Sequence, residues 1–495
     1  MALFFADYPH RLKNHDLVKG AAFVGGEWTT KSSDGKSFDV TNPSTGDKIA
    51  QLPDMGIAET RSAIDAAYEA QVDWAKRTGK ERANVLRKWH DLMIANADDL
   101  AAILCAEMGK PLAEAKGEIL YGASYIEWFA EEAKRIYGDL IPGHQHDKRI
   151  MVMRQPVGVV ASITPWNFPN AMIARKVAPA LAVGCAFVAK PAAETPLSAL
   201  AMAALAEEAG LPKGLFSIVT STSSSDIGKE FCSNVKVHKL TFTGSTEVGR
   251  ILMRQSADQI MKTSMELGGN APFIVFDDAD LDAAVEGAII SKYRNNGQTC
   301  VCANRIYVQS GVYDAFAEKL TAAVKAISVG DGFEDGVTAG PLIDNKAVEK
   351  VQEHIADATE LGARIVTGGK AHTRGGTFFE PTVLTGVTKE MKIASDETFG
   401  PVAPLFRFET TEDVIEQAND TIFGLASYFY ANDLSRVWKV AEALEYGMVG
   451  VNTGLISTEV APFGGVKQSG QGREGSKHGT EDYLEMKYVC IGGIA

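Results

Sequence analysis

From residue 156 onward, buried strands alternate with helices, and this order restricts the fold more than any other feature of the sequence. The predicted strands cover residues 157–163, 186–189, 214–219 and 237–242, and the predicted helices cover residues 171–182, 196–209 and 246–255. Such alternation predicts an α/β fold in which helices cover a parallel sheet. A second α/β series begins near residue 271 and continues to about residue 470.

The rest of the chain departs from this pattern. Residues 20–52 predict short strands, and residues 57–137 predict helices, because apolar residues recur there at intervals of three and four. Residues 138–150 predict a protruding turn with β structure on both sides. The apolar segment 483–491 predicts an edge strand that needs a partner sheet.

The length and the charge of the chain limit its classes of partner. Its 495 residues are enough for two or three domains with a large apolar core. It carries 49 lysine and arginine residues against 63 aspartate and glutamate residues, a formal charge of −14. An acidic surface repels phosphate backbones and anionic lipids, so neither a nucleic acid nor a membrane partner is expected.

Cysteine usage and the N-terminal residues predict a cytoplasmic protein. The six cysteines are few for this length and mostly isolated, which is typical of a reducing compartment. The first ten residues lack the long apolar stretch of a signal peptide. The most apolar segment, residues 177–189, is too short to span a bilayer.

One thiol and one carboxylate are the strongest candidates for chemistry. Cys300 follows a Gly-Gln pair, and Glu266 stands beside a glycine pair. A thiol forms covalent intermediates, and a carboxylate can activate the water that releases them. Cys302 lies two residues further on, but no cysteine or histidine nearby has the spacing of a metal site, so no metal is predicted.

Three further segments have both a functional and an ordinary interpretation. Residues 242–249 place glycine and hydroxyl groups between a strand and a helix, which suits either a bound phosphate or a simple helix N-cap. Asn167 stands between two prolines, where it either stabilises an oxyanion or forms a rigid turn. Lys190 ends a predicted strand, where ligands of α/β sheets bind, although a plain surface lysine is the commoner case.

Seven motifs occur in order along the chain, and together they resemble those of the aldehyde dehydrogenase superfamily. They are PWNFP at 165–169, KPA at 190–192, FTGST at 242–246, ELGGN at 266–270, GQTC at 297–300, ETFGP at 397–401 and PFGGVKQSG at 462–470. The resemblance extends from about residue 20 to the C-terminus. It implies a Rossmann-like cofactor domain, an α/β catalytic domain and a small β oligomerisation element. The corresponding boundaries are 1–137 with 157–265, then 266–470, and finally 138–156 with 471–495.

The resemblance implies roles for three catalytic residues. Cys300 is expected to attack an aldehyde carbonyl, giving a thiohemiacetal whose oxyanion is stabilised by Asn167 and the backbone N–H of Cys300. Loss of hydride to a nicotinamide cofactor then gives a thioester, which water activated by Glu266 hydrolyses. A thiol suits this task because its thiolate is accessible near neutral pH.

The resemblance also implies a set of cofactor-binding residues. They are Thr164, Trp166, Lys190, Ala193, Gly244, Ser245, Leu267, Glu397 and Phe399. Superfamily members that prefer NAD commonly carry a glutamate three residues after the strand-end lysine, where this chain has Ala193 followed by Glu194. Without a carboxylate at that position, a 2′-phosphate meets less repulsion near Lys190. NADP is therefore predicted as the preferred cofactor, with NAD as the alternative.

Within the superfamily, the chain resembles the succinate-semialdehyde dehydrogenase branch. Arg175, Arg294 and Ser457 match the residues that bind the distal carboxylate of the substrate in that branch. Two guanidinium groups and a hydroxyl form a strong carboxylate site, whereas the ordinary alternative is two structural salt bridges. Glutarate semialdehyde is one methylene longer, a difference worth about 1–3 kcal/mol, so it stays open as a substrate.

Four other expectations depend on the resemblance. Cys302 is a candidate redox partner, since some relatives oxidise this pair of cysteines to a disulfide that blocks catalysis. The segments 138–156 and 471–495 predict a homo-oligomer, either a dimer or a tetramer. Glu266 disfavours CoA-dependent acylating relatives, which typically lack this glutamate. The presence of Cys300, Glu266 and Asn167 together disfavours a non-catalytic structural relative.

Overall fold

The computed structural model describes residues 12–494. The strands are β1 Ala22–Val24, β2 Glu27–Thr29, β3 Ser37–Thr41, β4 Lys48–Pro53, β5 Asp139–Ile141, β6 Arg149–Pro156, β7 Val159–Ile163, β8 Ala186–Lys190, β9 Phe216–Ile218, β10 Val237–Thr243, β11 Lys262–Glu266, β12 Ala271–Val275, β13 Ala303–Gln309, β14 Arg364–Thr367, β15 Thr382–Thr385, β16 Val402–Phe408, β17 Ala426–Tyr430, β18 Met448–Val451, β19 Gly470–Gln471 and β20 Leu484–Ile491. The helices are α1 Ile57–Lys76, α2 Gly79–Ala95, α3 Ala97–Met108, α4 Leu112–Glu132, α5 Ala171–Val183, α6 Leu197–Glu208, α7 Ser224–Ser233, α8 Thr246–Ala257, α9 Leu281–Tyr293, α10 Tyr313–Lys325, α11 Asn345–Glu360, α12 Lys392–Ser395, α13 Thr411–Asn419 and α14 Leu434–Ala443. The N-terminal residues in which no signal-peptide pattern was found lie outside the described residues. Within residues 12–494, no helix is both long and apolar enough to cross a membrane.

The first sheet contains eight strands in the order β19-β11-β10-β7-β8-β9-β1-β2. The five strands from β11 to β9 run parallel, whereas β19 at one end and β1 and β2 at the other are antiparallel to their neighbours. Nearly every side chain of β7 and β8 is buried, as in central strands that are covered on both faces. The predicted parallel sheet is confirmed.

Two elements of this region were not predicted from the sequence. β11 has the sequence Lys-Thr-Ser-Met-Glu, whose polar residues do not resemble those of a buried strand. It forms because it pairs in parallel with β10 along its whole length. α7 is short and polar, and it is held in place by a few buried side chains, among them Ile227 and Phe231. In both cases tertiary contacts outweigh a weak local signal.

The second sheet contains seven strands in the order β14-β15-β16-β13-β12-β17-β18. All neighbouring strands run parallel except β14 and β15. This sheet confirms the second α/β series that was predicted between about residue 271 and residue 470. The chain then returns to the first sheet, because β19 pairs with β11. The predicted division of the chain into domains stays a prediction.

A small antiparallel sheet consists of β20, β6 and β5. β20 pairs with β6 along its whole length, from Leu484↔Pro156 to Ile491↔Arg149. The edge strand predicted near the C-terminus is therefore confirmed, as is the β structure on both sides of the predicted turn. Met486 on β20 is 71% exposed, so this edge of the sheet presents apolar side chains to solvent in a single copy.

Candidate active site

A cleft of about 350 Å³ lies between the two large sheets. The first sheet contributes residues that follow β7, β10 and β11, and the second contributes the segments before β13 and β16. The carboxyl ends of parallel strands are the usual place for ligands in α/β folds. Eight residues predicted from the sequence line this cleft, namely Trp166, Asn167, Gly244, Ser245, Leu267, Cys300, Glu397 and Phe399.

The loop before Cys300 has an uncommon backbone conformation. Asn295, Asn296 and Gly297 have positive φ angles of 51°, 54° and 77°. Asparagine and glycine tolerate this left-handed region better than other residues do. A Cβ at Gly297 would lie 2.2 Å from the carbonyl oxygen of Gly400, so the loop packs directly against the segment before β16. This packing brings Cys300 and the residues predicted to hold the cofactor to the same cleft.

Asn167 shares hydrogen bonds with the cysteine loop. Its Nδ2 donates to the carbonyl oxygen of Gln298 at 3.0 Å, and its own carbonyl oxygen accepts from Asn295 Nδ2 at 3.1 Å. The Asn167 amide has a second N–H, and the residue lines the cleft together with Cys300. An amide donor on the same cleft wall as a thiol can stabilise the oxyanion that forms when the sulfur attacks a carbonyl.

The surroundings of Cys300 favour its neutral thiol form over the thiolate. Burial raises its pKa to about 12, against the opposing effect of Arg175 and with the support of the carboxyl groups of Glu397 and Glu266. This shift opposes the accessible thiolate that the resemblance implies. The physical reason is the loss of water around the sulfur, so a base must accept the thiol proton during a reaction.

Glu266 ends β11, and its carboxyl group is buried. In the part of the chain that the structure describes, neither of its carboxyl oxygens has a hydrogen-bond partner. Burial raises its pKa well above the usual range, and the charge of Glu474 adds to the shift, whereas Arg175 and Lys176 oppose it. A carboxylate with a raised pKa is a stronger base once it is ionised, which suits the activation of water.

A smaller cavity adjoins the cleft at Cys300. It contains all three residues that were predicted to bind a carboxylate, Arg175, Arg294 and Ser457. Tyr121 of α4 also lines this cavity, although no sequence motif marked it. Thr299 lines the cavity as well, so the structure brings two cationic side chains and three hydroxyl groups together beside the thiol.

The two arginines of this small cavity are held by aromatic rings. Arg175 lies over the ring of Phe463 at 4.3 Å from the centroid, and it forms an ion pair with Glu474. Within residues 12–494, Arg175 Nη2 has no hydrogen-bond partner. Arg294 lies over the ring of Phe168 at 4.8 Å and is partly exposed. The salt bridge of Arg175 thus occupies one side of its guanidinium group and leaves donors for an anion.

Lys190 and its neighbours form a separate group at the ends of β7 and β8. The backbone N–H of Thr164 donates to the carbonyl oxygen of Lys190 at 3.2 Å, and Lys190 Nζ donates to Ser224 Oγ at 2.7 Å. Burial lowers the pKa of Lys190 to about 8, and the charge of Glu194 partly offsets this shift. Ala193 is half-buried and Glu194 is exposed. Thr164, Lys190 and Ala193 are not among the residues that line the cleft.

Glu397 and Phe399 form another wall of the cleft. Glu397 Oε1 accepts from the backbone N–H of Gly269 at 3.1 Å, and burial raises the pKa of Glu397 to about 7. Phe399 has a φ of 54°, and its ring meets that of Trp166 edge to face at 5.6 Å. The Trp166 and Phe399 rings thus provide apolar surface opposite polar groups, as a cofactor ring requires.

Three charged residues of the site were missed by the sequence analysis. Lys346 and Lys350 lie one turn apart on α11 and line the cleft, but they belong to no motif. Glu474 is buried and forms ion pairs with both Arg175 and Lys176. A glutamate in a glycine-rich segment carries no local signal of burial, because the contacts that bury it are distant in sequence.

Cys302 points away from the cleft. It is fully buried, and its Sγ donates to the carbonyl oxygen of Lys292 at 3.3 Å. Burial also raises its pKa. The disulfide between Cys300 and Cys302 stays a prediction. Among the described residues 12–494, no three histidine, cysteine, aspartate or glutamate side chains are grouped as a metal site would need.

Comparison with known proteins identifies the family. The model of the aldehyde dehydrogenase family matches residues 28–489. The chain belongs to the aldehyde dehydrogenase family. This aldehyde dehydrogenase is 66% identical to a glutarate-semialdehyde dehydrogenase of Pseudomonas aeruginosa, over 98% of this chain and 100% of that protein. It is 64% identical to an NADP(+) succinate-semialdehyde dehydrogenase of Escherichia coli, over 97% and 100% of the two chains. A crystal structure of succinate-semialdehyde dehydrogenase from Burkholderia pseudomallei has a TM-score of 0.97 at 61% identity, covering 98% of this chain and 100% of that one.

Proposed function

We propose that this aldehyde dehydrogenase oxidises succinate semialdehyde to succinate and prefers NADP as the cofactor. The observation that carries the proposal is the small cavity beside Cys300, in which Arg175, Arg294 and Ser457 are grouped. Guanidinium and hydroxyl groups near a nucleophilic thiol suit an aldehyde that has a carboxylate a few atoms from its carbonyl. Arg175 already pairs with Glu474, but an uncharged aldehyde would leave its Nη2 without an acceptor.

The first proposed step is the attack of the Cys300 sulfur on the carbonyl carbon. A C–S bond forms, the C=O π bond breaks, and the oxygen becomes an oxyanion that accepts hydrogen bonds from Asn167 Nδ2 and the backbone N–H of Cys300. Because burial favours the neutral thiol, its proton must pass to a base during the attack. Glu266 is the proposed acceptor, since its buried carboxyl group has no hydrogen-bond partner among the described residues and its pKa is raised.

Glu266 also has the proposed role of general base in the last step. It removes a proton from water as the water oxygen attacks the thioester carbonyl carbon. The C–S bond then breaks, the carboxylate product leaves, and the Cys300 sulfur regains a proton. The neighbouring charge of Glu474 raises the pKa of Glu266 and so strengthens it as a base.

The residues of the cleft fit a nicotinamide dinucleotide. Thr243 Oγ1 belongs to a residue that lines the cleft, is buried, and has no hydrogen-bond partner among the described residues. Trp166, Leu267 and Phe399 would hold the ring system, and Glu397 would accept from ribose hydroxyl groups. When bound there, a nicotinamide supplies the acceptor for the hydride of the thiohemiacetal carbon.

Glutarate semialdehyde is the second candidate substrate. It is favoured by the 66% identity to the glutarate-semialdehyde dehydrogenase of Pseudomonas aeruginosa. Both semialdehydes place a carboxylate at the end of a short aliphatic chain, and one methylene changes discrimination by about 1–3 kcal/mol. The ratio of kcat/KM for the two semialdehydes, measured side by side, decides between them.

Arg294→Gln is expected to lower kcat/KM for succinate semialdehyde by about 10–100-fold, because a charge-assisted hydrogen bond to the substrate carboxylate is lost. Butanal has the same number of carbons and no carboxylate, so parent and variant should oxidise it at similar rates. The absorbance of reduced cofactor, recorded without CoA, measures both reactions. Arg254→Gln on α8 is the control, because Arg254 is an exposed arginine.

Equal losses on both aldehydes would contradict a carboxylate site at Arg294. The same assay also tests the rival classes. Strict dependence of the parent on CoA would favour an acylating enzyme, and failure to oxidise any aldehyde would favour a structural role.

NADP is expected to bind more tightly than NAD, and this preference should weaken as the pH rises above about 8. Lys190 has a pKa of about 8, so it is charged below that pH and increasingly neutral above it. Only the charged form attracts a 2′-phosphate. Isothermal titration with both dinucleotides across this pH range checks the sign, and Lys190→Met should remove most of the preference. Tighter binding of NAD by the parent would refute the assignment.

We also propose a cytoplasmic homo-oligomer, a dimer or a tetramer. The apolar edge that β20 presents to solvent is the kind of surface that a second copy covers by sheet extension. All six cysteines are free, in keeping with a reducing compartment. Light scattering on the purified protein measures the number of copies.

A further inference from the structure

A buried ion pair at the start of α4 supports the loop that carries Asn167. We infer that Lys110 and Glu118 position the Asn167 amide for oxyanion stabilisation, and that they affect catalysis through this amide. The inference deepens the proposed function and rests on the role proposed there for Asn167. Neither charged residue belongs to a motif that marked the site from sequence.

Lys110 precedes α4, and its ammonium group reaches the backbone of Asn167. Nζ lies 2.6 Å from Glu118 Oε2 and donates to the carbonyl oxygen of Asn167 at 2.8 Å. The same ammonium group lies over the ring of Phe168, at 3.8 Å from the centroid. One cation therefore holds both the carbonyl of Asn167 and the side chain that follows it.

Glu118 holds the other end of the same loop. Its Oε1 accepts from the backbone N–H groups of Asn170 at 2.9 Å and Ala171 at 3.2 Å, where α5 begins. A carboxylate is favoured at a helix N-terminus by the unpaired N–H groups and the helix dipole. The pair of Lys110 and Glu118 thus fixes the loop from residue 167 to residue 171 at both ends.

The cysteine loop is tied to the same helix. The Asn167 carbonyl oxygen also accepts from Asn295 Nδ2 at 3.1 Å, and the backbone N–H of Asn295 donates to Glu114 Oε2 at 2.9 Å. Glu114 lies one turn before Glu118 on α4. α4 therefore sets the distance between the Asn167 amide and the thiol, because the Asn167 loop and the cysteine loop are both hydrogen-bonded to this helix.

The burial of the pair argues for a positioning role rather than a contribution to stability. The side chains of Lys110 and Glu118 are 1% and 0% exposed. Removing two charges from water opposes most of their attraction, so apolar residues of similar volume often support a fold equally well. An oxyanion donor, by contrast, must lie within hydrogen-bond distance of the reacting oxygen.

Lys110→Met removes the ammonium group and keeps an apolar chain. We expect kcat for aldehyde oxidation to fall about 10–100-fold with little change in KM, because loss of a whole oxyanion donor costs about 10²–10³-fold in kcat. In an Asn167→Ala background, Lys110→Met should cause no further loss, since the amide through which it acts is absent. This non-additivity is the readout that a merely structural lysine would not produce.

Lys239→Met is the matched control. Lys239 is also fully buried, it contacts the hydroxyl group of Ser264, and it lies near the ring of Tyr483. Thermal unfolding of each variant reports the loss of stability. If Lys110→Met does not fold, Lys110→Gln combined with Glu118→Gln keeps neutral hydrogen-bonding groups at both positions. A loss of kcat that persists in the Asn167→Ala background, or an equal loss in Lys239→Met, would overturn the inference.

Acylation by p-nitrophenyl acetate separates this inference from the proposed function. The Cys300 sulfur forms a bond to the ester carbonyl carbon, p-nitrophenolate leaves with the electrons of the C–O bond, and the thiol proton passes to a base and then to solvent. This reaction needs the oxyanion donors but neither a dinucleotide nor a distal carboxylate. If the parent does not oxidise semialdehydes, the proposed function is refuted. The inference is still supported if Lys110→Met lowers the acylation rate when Asn167 is present and leaves it unchanged in the Asn167→Ala background. An acylation rate that Lys110→Met leaves unchanged overturns it.

Discussion

Cys300→Ala is expected to abolish aldehyde oxidation, with a loss of about 10⁴-fold or more, because the proposed covalent intermediate forms on its sulfur. Asn167 and several of the residues proposed to hold the dinucleotide line the cleft together with this thiol. The variant should still bind the dinucleotide with unchanged affinity, since alanine keeps the backbone and removes only the sulfur. Absorbance of reduced cofactor and a binding titration on the same preparation measure the two properties.

The neighbouring cysteine provides the control for this experiment. Cys302→Ala removes a sulfur that bonds to the carbonyl oxygen of Lys292 and is absent from the cleft lining, so its rate should stay close to that of the parent. Substantial oxidation by Cys300→Ala, or a complete loss in Cys302→Ala, would show that the nucleophile has been misassigned.

Glu266→Gln is expected to stop turnover after the first half of the reaction. One equivalent of reduced cofactor per subunit should appear in a burst, followed by a steady state about 10²–10⁴-fold slower than in the parent, because water is no longer activated to hydrolyse the thioester. Stopped-flow absorbance resolves the two phases. Mass spectrometry of the trapped protein should show the acyl group on Cys300.

The pH dependence of turnover also tests the role of Glu266 as the general base. Burial raises the pKa of Glu266, so the carboxyl group is protonated at low pH and becomes a base only as the pH rises through its folded value. The parent's steady-state rate should therefore increase with pH, and this increase should be missing in Glu266→Gln. Glu474→Gln should bring the increase to lower pH, because the charge of Glu474 helps to raise the pKa of Glu266. A variant without a burst, or with the parent's pH profile, would contradict the assignment.

Much of the fold was accessible from local patterns. The apolar runs at β7, β8 and β10 predicted central strands of a parallel sheet. The β-prone segment at β20 predicted an edge strand. β11 did not, because its polar residues acquire strand geometry only by pairing with β10. α7 was not predicted for a similar reason, because contacts with residues distant in sequence stabilise this helix.

The residues of the candidate site also fall into those that the sequence predicted and those that it did not. Cys300, Glu266 and Asn167 were marked by motifs, and the two arginines by their spacing from those motifs, because short segments carry these residues in a recognisable order. Lys110, Glu118 and Glu474 belong to no such motif. Each is a charged residue whose role depends on its burial and on a partner that is distant in sequence.

The sequence by itself determined the α/β class, the order of the elements and the residue types available for chemistry, because these depend on periodicity and on short motifs. Only the tertiary structure decided the protonation of the site. It removes water from around the Cys300 sulfur, which raises the pKa of the thiol, and it places Glu474 where its charge raises the pKa of Glu266. It also joins the oxyanion loop and the cysteine loop to α4 through Glu118 and Glu114. Desolvation and the distances between charges arise only when distant segments pack together, and no local pattern encodes them.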